Sequence, residues 1–225
     1  MAVNNLTKTG QRAQRKTLIT VAEWTGASHD VYTLQTSQPA DWATAYDTYY
    51  TYSAGQYVLV TGDTAPTWAA NTYYTKSTST TYRQILGSRT EDSTIDTNPD
   101  IETTTDILGV TWTDVNKTEP EQTLDPFYVM QGSDLAEYLS IALMENDIDA
   151  YNNAIDIYII SAFLEGASSG TYKATKHQHC SVIPTSIGGD AWVNMPIEVH
   201  YSNDLIKGSV DKLADDFSFT PDSST

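Results

Sequence analysis

Residues 100–115 read DIETTTDILGVTWTDV, two threonine-rich runs joined by Ile107, Leu108, Gly109 and Val110. The branched Cβ of threonine restricts its side-chain torsion and favours a pleated backbone. The pattern predicts two strands folded back on each other. The bend is the constraint, because a hairpin tip usually carries solvated polar residues and this one carries three aliphatic side chains. Hiding each of them from water is worth roughly 1.5–3 kcal/mol. A chain with such a tip can fold it onto its own core or insert it into another molecule.

The surrounding texture is also β. KTLITVAEW, from Lys16 to Trp24, predicts a first strand in which Leu18, Thr20 and Ala22 alternate with Ile19, Val21 and Glu23. Proline interrupts the extended pattern at Asn98-Pro99, Glu119-Pro120 and Asp125-Pro126. GSDLAEYLSIALMEND predicts the one helix, at about 134–146. Ser133 or Asp134 can cap it, Asp134 and Glu137 have capping-box spacing, and Leu135, Tyr138, Leu139 and Ala142 form one apolar stripe. After Asn152-Asn153, AIDIYIISAFLEG, TYKATKHQHCSVIPTSIGG and AWVNMPIEVHYSND read as strands, and DLIKGSVDKLADDFSF as a bend and a terminal strand. The expected fold is mainly β: a β-sandwich or barrel of about eight strands with one flanking helix.

Residues 35–81 differ in character. Only Asp41, Asp47 and Asp63 are charged before Lys76, and aromatic residues crowd the segment. QPADWATAYDTYYTYSAGQYVLV, from Gln38, is answered by TAPTWAANTYYTKSTSTTYRQIL, from Thr64. Trp42, Tyr49 and Tyr50 correspond to Trp68, Tyr73 and Tyr74, which predicts an inserted pair of hairpins held by aromatic cross-strand contacts. The same six rings are candidates for an exterior aromatic patch that could stack on carbohydrate, although packing against each other explains them more simply. The expected organisation is a basic arm at 1–16, a β-sandwich from 17–34 and 82–220, the insertion at 35–81 and a frayed tail at 221–225.

Charge narrows the function. The net charge is −17, yet the first acid is Glu23 and the preceding arm carries Lys8, Arg12, Arg15 and Lys16. An acidic body repels nucleic acid at long range, so sequence-specific DNA or RNA reading is not expected. The basic arm can dock on the acidic surface of another copy, or fray. No apolar run reaches the ~20 residues of a membrane helix, and MAVNNLTKTGQRAQRK lacks the apolar stretch of a secretory signal. With a single cysteine, Cys180, a cytoplasmic product is expected.

Catalytic signatures are missing: no phosphate-binding glycine loop, nucleophile elbow, HExxH or CxxC occurs. Acid pairs such as Asp215-Asp216, or Glu119 with Glu121, are read as solvated. In KHQHC, His177 and His179 would share one face of a strand with Cys180 on the other, which is two ligands without a third. No enzyme, metal or cofactor is expected.

IDTNPDIETTTDILGVTWTDVNKTEPEQTLDPF followed by SDLAEYLSIAL resembles the major tail tube protein of long-tailed bacteriophages and prophages. The resemblance covers Arg83 to the C-terminus and a short piece from Lys16 to Leu34. It implies a β-sandwich with a flanking helix, hexameric rings stacked into a tube, and a bore through which DNA passes without sequence recognition. It also implies a place in the virion after assembly in the host cytoplasm, with the tape measure, tail terminator and baseplate or distal tail proteins as partners. By that analogy Arg12, Arg15, Lys16, Ile107, Leu108, Val110 and Trp112 are subunit contacts. Candidate bore-lining acids are Asp96, Asp100, Glu102, Asp156 and Glu198, whose facing depends on strand register. The alternatives are a carbohydrate-binding adhesion module built on the Trp/Tyr repeat, or another structural protein of the virion.

Overall fold

The alternation in KTLITVAEW becomes the inner half of strand β1 (Leu18–Leu34) in a computed structural model that describes residues 18–86, 94–129, 133–190 and 192–222. Ile19 and Val21 lie on one face of this strand and Ala22 and Trp24 on the other, and all four are buried. Both faces of the sheet are therefore covered. The fold is mainly β, with antiparallel strands and few helices, and resembles a sandwich.

The chain divides into two compact units, Thr25–Thr81 and the remainder. In the larger unit β1 pairs with β8 (Ile155–Glu165), and β8 with β9 (Tyr172–Pro184). The sheet extends through β11 (Leu205–Val210) to β12 (Phe219–Pro221), while β4 (Tyr73–Ile85) flanks β1 on its other side. Of the tail expected from 221, the first two residues are held in the sheet: Pro221 pairs with Gly208, and the Asp222 N–H donates to the Lys207 carbonyl at 2.9 Å. Residues 223–225 lie outside the described residues.

β9 belongs to two layers. Up to His177 it pairs with β11, and from Ser181 it pairs with β10 (Ile197–His200), which in turn pairs with β7 (Glu121–Leu124). The switch occurs at His179, whose φ of 58° is in the left-handed region. Its N–H donates to Asp156 Oδ1 at 3.0 Å, and the Gln178 N–H donates to the Asp204 carbonyl at 2.8 Å. The bend thus leaves neither amide unsatisfied.

Helix α2 (Asp134–Glu145) buries Leu135, Ala136 and Leu139 in one core with Trp24, Ile157, Val182 and Ile197. Its start differs from expectation. Neither Ser133 nor Asp134 caps it through a side chain; Gln84 of β4 accepts the Leu135 N–H at 2.9 Å and donates to the Ser133 hydroxyl at 3.1 Å. Asn146, at φ 55°, closes the other end in the left-handed conformation that terminates many helices. The opposite face of the sheet buries Ile19, Val21, Ile160, Ala174, Val210, Leu213 and Phe217.

A charged cluster lies beside that second core. Glu23 accepts from Arg83 and from Lys176 (2.9 Å), Lys176 also pairs with Asp156 (2.7 Å), and the Tyr158 hydroxyl donates to Glu23 at 3.1 Å. Arg83 donates to the Phe217 carbonyl at 2.7 Å and lies over the Phe217 ring. Burial opposes ionisation of Glu23, but the hydrogen bonds from Lys176 and Arg83 outweigh it and hold its pKa below the ordinary 4.5.

The smaller unit contains the outer halves of β1 and β4, a single-turn helix α1 (Trp42–Ala45), and the hairpin of β2 (Tyr49–Ser53) and β3 (Gln56–Leu59). It begins at Thr25 rather than at 35, because β1 runs unbroken to Leu34. Trp42, Tyr49, Val60 and Tyr73 form its buried core, with Trp68 packed against them.

Glu23→Gln should destabilise the protein by about 3 kcal/mol at neutral pH, since Arg83 and Lys176 keep their charges and lose their shared partner. A carboxyl with a depressed pKa stabilises above its unfolded value and loses that contribution as pH falls through the folded one. The difference between wild type and variant in urea unfolding should therefore narrow below about pH 4.5.

Candidate functional site

The threonine-rich runs form β5 (Pro99–Thr105) and β6 (Thr111–Thr118), an antiparallel ribbon paired with no other strand among the described residues. Every residue from Pro99 to Thr118 is exposed except Asp106, which is partly covered. An isolated two-stranded ribbon is marginal in water, since neither face packs and both outer edges offer unpaired backbone groups. Ile107 is fully in solvent (103% exposed), Leu108 is 82% exposed, and Val110 and Trp112 are also exposed. The chain has not folded the tip onto its own core.

The tip is nevertheless ordered from within. Asp106 and Gly109 close a turn, with the Gly109 N–H donating to the Asp106 carbonyl at 3.0 Å and the Asp106 N–H to the Val110 carbonyl at 2.9 Å. Gly109 has φ 79°, a conformation that favours glycine even though a Cβ there would meet nothing within 4 Å. The Asp106 carboxylate accepts from the Leu108 and Val110 amides at 2.8 and 3.0 Å, and Trp112 Nε1 reaches it at 3.5 Å. The amides of Val110 and Leu108 hold the Asp106 pKa below the usual carboxylate range. Sequence reading missed this role, although a short acidic side chain just before a turn is its ordinary signal.

Of the other expected contact residues, Arg12, Arg15 and Lys16 lie outside the described residues. The five candidate acids have different surroundings. Asp100 and Glu102 are exposed on the ribbon, and Asp96 bridges to Glu121 outside the main strands. Asp156 is not a bare surface acid: it pairs with Lys176 and receives the His179 amide. Glu198 stands 3.7 Å from His200.

The exterior aromatic patch needs correction. Trp42, Tyr49 and Tyr73 are interior, and Trp42 Nε1 donates to the Pro66 carbonyl at 2.9 Å. Trp42 meets its repeat counterpart Trp68 edge-on at 4.9 Å, and Tyr50 is paired in register with Tyr74. Strand alternation sends the second tyrosine of each pair to the opposite face. There Tyr57 touches Tyr32, Tyr52 and Tyr74, with centroids 3.8–5.0 Å apart, and Tyr32 touches Tyr50.

The chemical candidates disperse as well. His177 is buried, with Nδ1 2.9 Å from the Ser202 carbonyl, whereas His179 is exposed beyond the bend, so the two do not share a face. Cys180 is buried, and burial pushes its thiol up to about 11. Asp215 accepts the Ile85 N–H at 2.7 Å while Asp216 pairs with Lys212. No three His, Cys, Asp or Glu side chains group as a metal site among the described residues, and no described helix is long and apolar enough to cross a membrane. Compared with known proteins, the chain matches no family model and no curated protein.

Replacing Asp106 with alanine should loosen the tip and leave the fold intact. Amide exchange at Leu108 and Val110 should accelerate about tenfold, with an unchanged far-UV spectrum. In the wild type the same loosening should appear only in acid, as pH falls through the depressed Asp106 pKa.

Proposed function

We propose that this chain is a structural subunit whose copies complete one another, stacking as hexameric rings into the tail tube of a long-tailed bacteriophage. The observation that carries the reading is the ribbon of β5 and β6, which presents a preformed apolar tip to water and two strand edges that no described strand pairs. Covering Ile107 and Leu108 alone would be worth roughly 3–6 kcal/mol before the costs of association. The mainly β fold with a flanking helix is the architecture that the resemblance of Arg83 to the C-terminus implies.

The charge supplies a mechanism. Each copy brings −17, and a hexamer multiplies it. Carboxylates facing a bore repel DNA phosphates, so the genome passes without sticking, while salt limits the repulsion to about a Debye length, ~8–10 Å. In this reading the protein belongs to the virion, after assembly in the host cytoplasm. Its partners are further copies of itself and the tape measure, terminator and distal tail proteins.

One observation favours a second reading, a carbohydrate-binding module: Tyr50, Tyr52, Tyr57 and Tyr74 present a half-exposed face bearing hydroxyl groups, bordered by the Lys76–Asp30 ion pair. Unchanged tyrosine ring signals in NMR titrations across a panel of neutral polysaccharides would remove it.

Concentrated wild-type protein should form rings or tubes in negative-stain images, and Leu108→Asp should remain monomeric in sedimentation with the same far-UV spectrum. Wild type that stays monomeric across salt and concentration, or a Leu108→Asp variant that assembles normally, would overturn the proposal.

A further inference from the structure

The register of the ribbon separates its side chains into two unlike faces. Ile101 is opposite Val115, Thr103 opposite Thr113 and Thr105 opposite Thr111, and strand alternation places these six on one side. The Thr105 and Thr111 hydroxyls lie 3.2 Å apart, as such neighbours should. This face holds no charge. On the other side Glu102 is directly opposite Asp114, and Thr104 opposite Trp112. Two carboxylates across a strand pair repel, and taking them out of water would raise the cost.

We propose that the two faces have opposite roles in assembly. The uncharged face docks on a second copy of this chain, while the face of Glu102 and Asp114 stays in water, which in a tube is the water of the bore. Trp112, expected from the resemblance as a subunit contact, falls on that second face. The inference rests on the assembly reading and adds which side of the ribbon is covered. Electrostatics selects the occupant. Copies carrying −17 each repel at long range, so of the ribbon's two faces the uncharged one is covered by a second copy at the lower electrostatic cost. A face without a cation gives nucleic acid no phosphate contact, and four threonine hydroxyls are poorly suited to a lipid interior. Branched side chains of moderate size, beside open backbone edges, fit packing against another sheet. Asp114 joins Glu102 as an acid that passing DNA meets, and sequence reading had not nominated it.

Single added cysteines test this, because the native Cys180 is buried. Thr103→Cys and Glu102→Cys should react equally with a small maleimide in dilute monomer. After assembly, Thr103→Cys should slow by roughly tenfold or more, while Glu102→Cys stays within about twofold of its free rate. A bulky polymer-linked maleimide should label Glu102→Cys poorly in tubes, because it cannot enter a bore. Tubes in which Thr103→Cys labels freely, or in which Glu102→Cys is protected from the small reagent, overturn the face assignment and leave assembly standing. Free access of the bulky reagent to Glu102→Cys overturns the bore assignment alone. Wild type that never assembles overturns both proposals.

Discussion

Backbone hydrogen bonding at the bend of β9 is the constraint on which the larger unit depends. A strand that leaves one sheet for another must satisfy its amides at the corner, and here Asp156 and the Asp204 carbonyl do so. With the bend satisfied, β9 holds β8 and β11 in one layer and β10 in the other. The space between those layers is what α2, Trp24 and Met195 fill. Asp156 also pairs with Lys176, which pairs with Glu23, so the bend and the charged cluster share one carboxylate. Disturbing either should be felt at the other, since neighbouring groups in one network are not energetically independent.

Among the described residues the ribbon meets the same requirement with protein on one edge only, and its other backbone groups face water. β5 and β6 satisfy each other along one edge and leave the outer edges open. Asp106 then fixes the tip at which the apolar side chains are exposed. An ordered apolar tip loses less conformational freedom on docking than a floppy one, which favours association. The smaller unit solves its exposure problem differently, by turning Trp42, Trp68, Tyr49 and Tyr73 inward upon one another. Two segments rich in apolar residues thus reach different outcomes: the smaller unit buries Trp42, Tyr49 and Tyr73, while the ribbon leaves Ile107, Leu108, Val110 and Trp112 exposed.

Some of this was legible along the chain. The alternation in KTLITVAEW, the apolar stripe of α2 and the turn residues flanking the threonine runs are local periodicities, and a local backbone preference reads them directly. The repeat was legible as a repeat, but not which tyrosine of each pair faces inward, because one residue of register reverses the answer. The cap of α2 by Gln84, 51 residues before Leu135, had no sequence signal. Nor did the pairing of Glu23 with Lys176, 153 residues away. His177 and His179 were misread as facing one way because the left-handed residue between two sheets is not written in strand propensity.

By itself the sequence determined the β character, the single long helix, the acidic charge and an apolar tip between threonine strands, since each follows from neighbours a few residues apart. Only the tertiary structure decided that the tip stays in water, that Asp106 organises it, and that Glu102 meets Asp114 while the other face carries no charge. Those outcomes depend on register and on what the rest of the fold covers, which are set by packing between distant segments.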